Sequence, residues 1–284
     1  MTVKFWGVRG SIPAPGPRTN RYGGNTPCVE VRCGEALFVL DAGSGIRELG
    51  NALMAAGKPV KLHLLISHTH WDHLQGFPFF TPLYVPGNVL HIYGPQGADG
   101  TLETVLAGQM TLPYFPVLLS EAQSEVHFHE LDVGEHVIDG VKVTTIFANH
   151  LGIALAYRLE WGGKSLVYLC DNEPCGSLAG SVQEPPPIDP RLAEFARDAD
   201  LLIADAPYDA EEYQQRRGWG HGSVDDVVRV ALDAGAKRLA LFHHDPAHDD
   251  DAIDRLVAQA RDAIAASGAA MECFGAQEGQ TVEL

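Results

Sequence analysis

Long apolar runs are missing from this 284-residue chain. No stretch approaches the roughly 18 uninterrupted apolar residues of a membrane-spanning helix, so no membrane partner is expected. A basic surplus is missing as well. Lys and Arg total 20 against 37 Asp and Glu, a formal net charge of −17. Affinity for a phosphate backbone comes from clustered Lys and Arg, so the expectation is no long nucleic acid as partner. A small anionic substrate stays compatible, because a bound divalent ion reverses the local field at one site. Cysteine is sparse: five residues, Cys28, Cys33, Cys170, Cys175 and Cys273, an odd number without a CxxC pair. That argues against a disulfide framework and against a structural zinc knuckle. The opening MTVKFWGVRG carries no apolar core and no cleavage site of a secretory signal, so the expected compartment is the cytoplasm. Internal repeats, coiled-coil heptads and low-complexity tracts are absent. A homodimer is allowed by the sequence and not decided by it.

What is present reads as one α/β domain over residues 1–284. Hydrophobic residues make up 45% and charged ones 20%, enough for a sizeable core. Strand-like segments fall at 3–8, 28–33, 36–43, 60–67 and 89–95, then at 124–131, 141–149, 153–161, 165–171, 200–207 and 238–245. Helical spacing appears at 45–57, 101–109, 223–235 and 249–267, and another helix starts at Pro190 behind a capping Asp189. Ser223 and Asp226 have the spacing of a capping box. The segment 172–190 is a Pro-rich loop. Two halves emerge, each with several strands before its helices and no linker between them. The expected architecture is two sheets packed face to face with helices outside.

The chemistry concentrates in SHTHWDH, Ser67 to His73. In an extended chain His68 and His70 point to the same side and can reach one ion. Asp72 and His73 follow where the chain bends toward a helix, and adjacent residues there diverge. One ion could not easily take all four, but two ions a few Å apart could divide them. Further donors stand after apolar strands: His150, Asp171 and His243. Each is the first metal-competent residue beyond its strand, so all three belong at one rim.

This set, with Asp41 in DAGSG, resembles the metallo-β-lactamase superfamily across nearly the whole chain. The resemblance implies a four-layer αββα sandwich with a dinuclear, usually zinc, site, although manganese and iron accept the same mixed N and O ligands. It implies that His68, His70 and His150 hold one ion, that Asp72, His73 and His243 hold the other, and that Asp171 bridges them. It gives Asp41 the task of propping the histidine loop.

Asp171 is similar to the aspartate of the superfamily's ester and phosphodiester hydrolases rather than to the cysteine of its lactam-cleaving members. Cys170 has the opposite strand parity and is not counted as a ligand. His221 in GWGHGS precedes the helix that Ser223 caps, a position suited to phosphate. The order ADAPYD, GWGHGS, LALFHHD resembles ribonuclease Z and its phosphodiesterase relatives, and FWGVRGSIPAPG with RYGGNTPC resembles small cyclic phosphodiesterases. Against ribonuclease Z stand Ala204-Asp205 in place of its His-Glu pair and an interval 172–200 too short for its tRNA-gripping arm. The reading is a metal-dependent phosphodiesterase of a small or cyclic nucleotide-type diester. A metal-bridging hydroxide attacks phosphorus, oriented by Asp72, and His221 assists the leaving oxygen. Asn25 is a polar substrate contact at the same rim. The rival readings are a thioester or lactone hydrolase and a catalytically silent sensor or scaffold. His127 and His129 read as a polar strand face, His63 and His91 as strand positions, His136 as a residue beside a turn, and His244 and His248 as surface or supporting residues. The stretch MTLPYFPVLL (110–119) reads first as a core-packing loop, with a hydrophobic wall over a base as the alternative.

Overall fold

Alternation and continuous burial distinguish the edge strands from the central ones. In β1 (Thr2–Gly7) Val3, Phe5 and Gly7 are buried and their neighbours are not, whereas β3 (Ala36–Leu40) is buried throughout. A strand covered on both faces needs apolar residues at every position, and ALFVL supplies them. The computed structural model describes residues 1–97, 100–175 and 187–284. Part of the Pro-rich loop read at 172–190 lies outside the described residues.

The first sheet also contains β2 (Cys28–Cys33), β4 (Lys61–Leu65), β5 (Val89–Pro95) and β6 (Glu125–Leu131). The second contains β7 (Gly134–Ile138), β8 (Val141–Phe147), β9 (Leu155–Trp161), β10 (Lys164–Leu169), β11 (Leu201–Asp205), β12 (Arg238–Phe242) and β13 (Glu272–Gly275). A last strand, β14 (Thr281–Glu283), returns to the first sheet. The orders are β14-β1-β2-β3-β4-β5-β6 and β13-β12-β11-β10-β9-β8-β7. In each sheet an antiparallel group joins a parallel group: β3 to β6 run parallel, as do β10 to β13. The inner faces meet in one core built from both sheets, with Phe5, Phe38, Tyr157, Tyr168 and Phe242 among its largest members.

Helices cover the outer faces. On the first sheet lie α1 (Ile46–Ala55), the single turn α2 (Trp71–Leu74) and α3 (Leu102–Gln109). On the second lie α4 (Pro190–Phe195), α6 (Val224–Asp233) and α7 (Asp250–Ser267), with α5 (Ala210–Arg216) following β11. The caps expected at Asp189 and Ser223 are made, Asp189 accepting from the Arg191 N–H and Ser223 from that of Asp226, and Asp249 caps α7 by accepting from the Ala252 N–H. This is the four-layer αββα sandwich expected from the sequence. No helix among the described residues is long and apolar enough to cross a membrane.

Four elements escaped the local pattern. The edge strand β7 exposes Glu135 and Val137, so its alternation is weak, and it turns His136 from a turn neighbour into a strand residue. The short strands β13 and β14 exist through pairing with β12 and β1, distant in sequence. In α5 only Tyr213 is buried, which leaves no apolar stripe to read.

Candidate metal centre

Strand ends bring the donors together. His68, His70 and Asp72 follow β4, His150 follows β8, Asp171 follows β10 and His243 follows β12. Ligand atoms of His68, His70, His150 and Asp171 lie within 4.8 Å of one another, and so do those of His73, Cys170, Asp171 and His243. Asp171 belongs to both groups. Asp72 Oδ2 stands 3.1 Å from His243 Nε2 and 3.3 Å from His73 Nε2. His150 Nε2 faces His70 Nδ1 at 3.1 Å. The Cys170 thiol is closer than strand parity suggested: its Sγ donates to Asp171 Oδ1 at 3.1 Å. The left-handed turn at Asp171 (φ 49°) folds the carboxylate back beside it.

Backbone strain marks the same places. Of the six described non-glycine residues with positive φ, three are Asp41, Asp171 and His243. Such conformations cost energy and persist where surrounding contacts fix them, as at functional sites. Asp41 is fixed by four contacts. It accepts from the Ser67 N–H at 2.7 Å, the Ser67 hydroxyl at 2.9 Å and the Tyr168 hydroxyl at 2.7 Å, and its Oδ2 lies 2.8 Å from His73 Nδ1. His73 is thereby turned so that Nε2 faces Asp72 and Asp171. His150 is oriented through Nδ1, 3.0 Å from the Gly220 carbonyl. A Cβ on Gly220 (φ 83°) would stand 2.1 Å from that ring nitrogen, and one on Gly10 would stand 2.4 Å from His243 Nδ1, so glycine is required at both.

The chemistry of the set fits divalent cations. His68 Nε2 and His73 Nε2 are buried without a hydrogen-bond partner, which is costly for neutral polar atoms. They stand 3.5 Å and 3.3 Å from Asp171 oxygens. Burial alone would raise the Asp171 carboxyl, but His243, His73 and His68 outweigh it and hold it well below the usual carboxylate range. Asp72 is held low in the same way by His73 and His243 against burial. Burial pushes His68 well below its ordinary value and His150 down to about 4, so both present neutral, ligand-competent nitrogens.

His221 enters this site from the loop before α6. Its ring lies 5.1 Å from that of His243 and 5.3 Å from that of His150. Its Nδ1 is 2.9 Å from Asp205 Oδ2. Burial opposes its charge, yet the Asp205 hydrogen bond and the Asp171 carboxylate push it up to about 9. Ala204-Asp205 therefore leaves His221 with a carboxylate partner, a role the sequence reading did not assign. The Asn25 carboxamide donates through Nδ2 to Glu278 at 3.0 Å and accepts from the Ser44 hydroxyl at 2.9 Å, which ties down its turn. His244, read as surface or supporting, is fully buried, with Nε2 3.0 Å from the Ala276 carbonyl. The loop 110–119 is largely outside the core: Leu112 is 75% and Tyr114 78% exposed, although Met110 is buried.

Two supports were missed. Buried Glu173 accepts from the Gly218 and Gly220 N–H groups and from the Tyr213 hydroxyl at 2.7 Å, so it shapes the loop that orients His150 and carries His221. Fully buried Arg9 joins the Gly23, Asp245 and His248 carbonyls and ties the N-terminal loop to the segment after His243. Arg9 lies within FWGVRGSIPAPG without standing out there, and Glu173, between Asn172 and Pro174, follows Asp171 closely with no signal of its own.

An αββα sandwich with a buried His and Asp donor set at one rim defines the class of metallo-β-lactamase-fold hydrolases. The family model described as the β-lactamase superfamily domain matches residues 37–244, and the chain belongs to that family. It is similar to ribonuclease Z of Pyrococcus horikoshii, 24% identical with 87% of each chain covered. Among solved structures it is similar to the metallo-β-lactamase fold protein YhfI from Bacillus subtilis, with TM-score 0.71, 21% identity and 99% of both chains covered. It is also similar to human tRNase Z, short form, with TM-score 0.67, 20% identity, and 100% of this chain and 99% of that one covered. The two structural likenesses show the fold. The resemblance read from the sequence and the reading as a metal-dependent hydrolase both stand. The expectation that no long nucleic acid serves as partner does not: relatives named for RNA and tRNA cleavage overturn it. Net charge failed as a guide because it sums over the whole surface, whereas a substrate meets one face.

Proposed function

We propose that the protein is a dinuclear metal-dependent phosphodiesterase, one domain over residues 1–284, acting in the cytoplasm. The observation that supports it most is a pair of donor groups sharing Asp171, with His221 beside them. His68, His70 and His150 would hold one ion and Asp72, His73 and His243 the other, with Asp171 between them; zinc suits this set, and manganese or iron would be accepted. Two divalent ions supply an acidified water and positive charge facing the phosphoryl oxygens. Asp72 and Asp171 keep the imidazole edges turned toward one shared volume and offer oxygens there to orient a water. Asp41 and Glu173 fix the rings from behind, so little reorganisation accompanies substrate binding. With Nδ1 engaged by Asp205, His221 has Nε2 for a phosphoryl oxygen or for protonating the leaving oxygen.

The finer reading is a small or cyclic nucleotide-type diester, supported by the resemblance of FWGVRGSIPAPG and RYGGNTPC to small cyclic phosphodiesterases; tRNA belongs in the same test. A hydrolysis panel with metal-loaded protein decides: bis(p-nitrophenyl) phosphate, 2′,3′- and 3′,5′-cyclic nucleotides, precursor tRNA, a thioester and a lactone. Diester cleavage is the expected outcome, and the preferred diester sets the substrate class. Thioester or lactone turnover without any diester cleavage would overturn the proposal.

A further inference from the structure

Three exposed aromatic rings, Trp71, Phe79 and Tyr114, and the half-buried Phe115 gather in one recess of the chain. Trp71 is 79% exposed, Tyr114 78% and Phe79 56%; Phe79 meets Phe115 edge to face at 5.3 Å. They line one cleft of about 590 Å³, within the roughly 300–1,000 Å³ of small-ligand sites. Exposed apolar surface gathered in a recess marks a binding site rather than ordinary surface.

The cleft and the donor set share one stretch of chain, residues 68–75. Trp71 is flanked in sequence by His70 and Asp72. Thr69 and Trp71 line the cleft while His68 and His70 belong to the donor group. Thr69 precedes and Trp71 opens the single turn α2, whose N-cap is the exposed His70, so one short segment supplies both the donors and part of the cleft wall. No charged side chain lines the cleft among the described residues. Its polar lining includes Gln75 and Gln109, the latter anchored through Nε2 on the Leu74 carbonyl at 3.2 Å. Neutral, aromatic and edged with carboxamide, the recess is suited to a flat heteroaromatic ring and unsuited to a phosphate or sugar.

We infer that the Trp71, Phe79, Tyr114 and Phe115 cleft is a base-binding subsite, taking the nucleobase attached next to the scissile phosphate. The inference rests on the phosphodiesterase reading for the position of the phosphate, not for the cleft's affinity for a base. The aromatic faces stack on the ring, and Gln75 and Gln109, held through Nε2 by the Thr26 hydroxyl and the Leu74 carbonyl, offer their amide oxygens to its polar edge. Because every base has a π-face, such a platform selects nucleotides over alkyl diesters without demanding one sequence.

Two measurements on the metal-loaded full chain test this separately from the reaction. In the first, calorimetric titration compares a nucleoside 5′-monophosphate with ribose 5-phosphate. Stacking on aromatic side chains typically gives each base roughly 5- to 150-fold in affinity, so the nucleotide is expected to bind more tightly by about tenfold or more. Phe79→Ala and Tyr114→Ala, both at exposed positions, should each erode that advantage, and the double variant should abolish it. In the second, thymidine 5′-(p-nitrophenyl) phosphate is compared with ethyl p-nitrophenyl phosphate, which share a leaving group. The wild type should show a lower KM for the thymidine ester, and the double variant should lose the difference. A nucleotide that gains nothing from its base, or keeps its gain in the double variant, overturns the subsite whatever the esters do. Base-dependent binding without cleavage of either ester leaves the subsite standing and sinks the phosphodiesterase reading instead. A dimer in sedimentation that Tyr114→Arg dissociates would assign the cleft to a second copy of the chain and overturn the inference.

Discussion

Four histidines, His63, His91, His127 and His129, line up across the middle of β4, β5 and β6, while six others, His68, His70, His73, His150, His221 and His243, converge from strand ends, from α2 and from the loop before α6. In the first group partners are in register, His63 opposite His91 and His91 opposite His127. Their rings stack face to face at 5.2 Å and 4.9 Å, nearly parallel. The nitrogens are used locally: His91 Nδ1 with His129 Nε2 at 3.1 Å, and His63 Nε2 with Asp139 at 3.1 Å. In the second group most pairs meet edge-on or tilted, only His73–His243 and His221–His243 stack among the described residues, and buried carboxylates of Asp72, Asp171 and Asp205 stand among them. Mid-strand positions present flat faces at the spacing of the sheet. Strand ends with positive φ can aim nitrogens from several strands at one volume. Histidine density alone therefore says little; a shared buried carboxylate and partnerless ring nitrogens distinguish a metal site from a stacked ladder.

The largest effect should come from removing what the second group shares. Asp171→Ala should deplete both ions, and its activity loss should exceed the roughly 10–100-fold typical of a supporting residue. Elemental analysis after gel filtration, read beside bis(p-nitrophenyl) phosphate turnover, checks it; full occupancy of both sites in the variant would contradict the shared role. His221→Ala should keep its metal and lose on the order of 10²–10⁴-fold in rate, the span of general acid–base help. A rate close to wild type would return His221 to an ordinary loop residue. Glu173→Gln comes next, with about 10–100-fold expected because it acts through the Gly218 to Gly220 loop on His150 and His221. Its signature is a fall in kcat together with weaker metal retention. Loss of thermal stability alone would make Glu173 merely structural.

The contrast between the two groups also explains what was legible in the sequence. The donor set was readable because each donor follows an apolar run, and the run fixes the strand end that fixes the rim. The central strands were readable for the same reason: ALFVL and LLIAD need burial on both faces. The strands β13 and β14 were not, because four and three residues gain their identity from partners far along the chain. Glu173 and Arg9 were not, because their work is to gather backbone N–H and carbonyl groups, and backbone groups leave no signature in sequence. Asn25 hid its partner for a related reason. It stands in a turn near the site, but Glu278, more than two hundred residues away, takes its amide. His127 and His129 read as a polar strand face and His91 as a strand position, which is sound as far as it goes; the stacking depends on the parallel register of three strands.

The ladder itself offers the smallest and most discriminating prediction. Burial lowers His63, His91 and His129 from their ordinary value, and for His91 the neighbouring His63 and His127 add to the effect. In the unfolded chain each titrates near about 6.5. Below that pH the unfolded chain binds more protons than the folded one, so stability is full above about pH 6.5 and is lost as pH falls toward the lowered folded values. Asp139 and Lys61 pull His63 in opposite directions, whereas His91 faces only other histidines and Tyr93 at ring-contact distance. His91→Phe keeps a flat ring in the stack and removes one titrating group. Its melting temperature should therefore fall less than that of the wild type between about pH 8 and about pH 5.5, with metal content and diester turnover unchanged. Melting curves that drop in parallel would show that the stack does not sense protons. A change in metal content would show that the two histidine groups are not the separate devices their geometry describes.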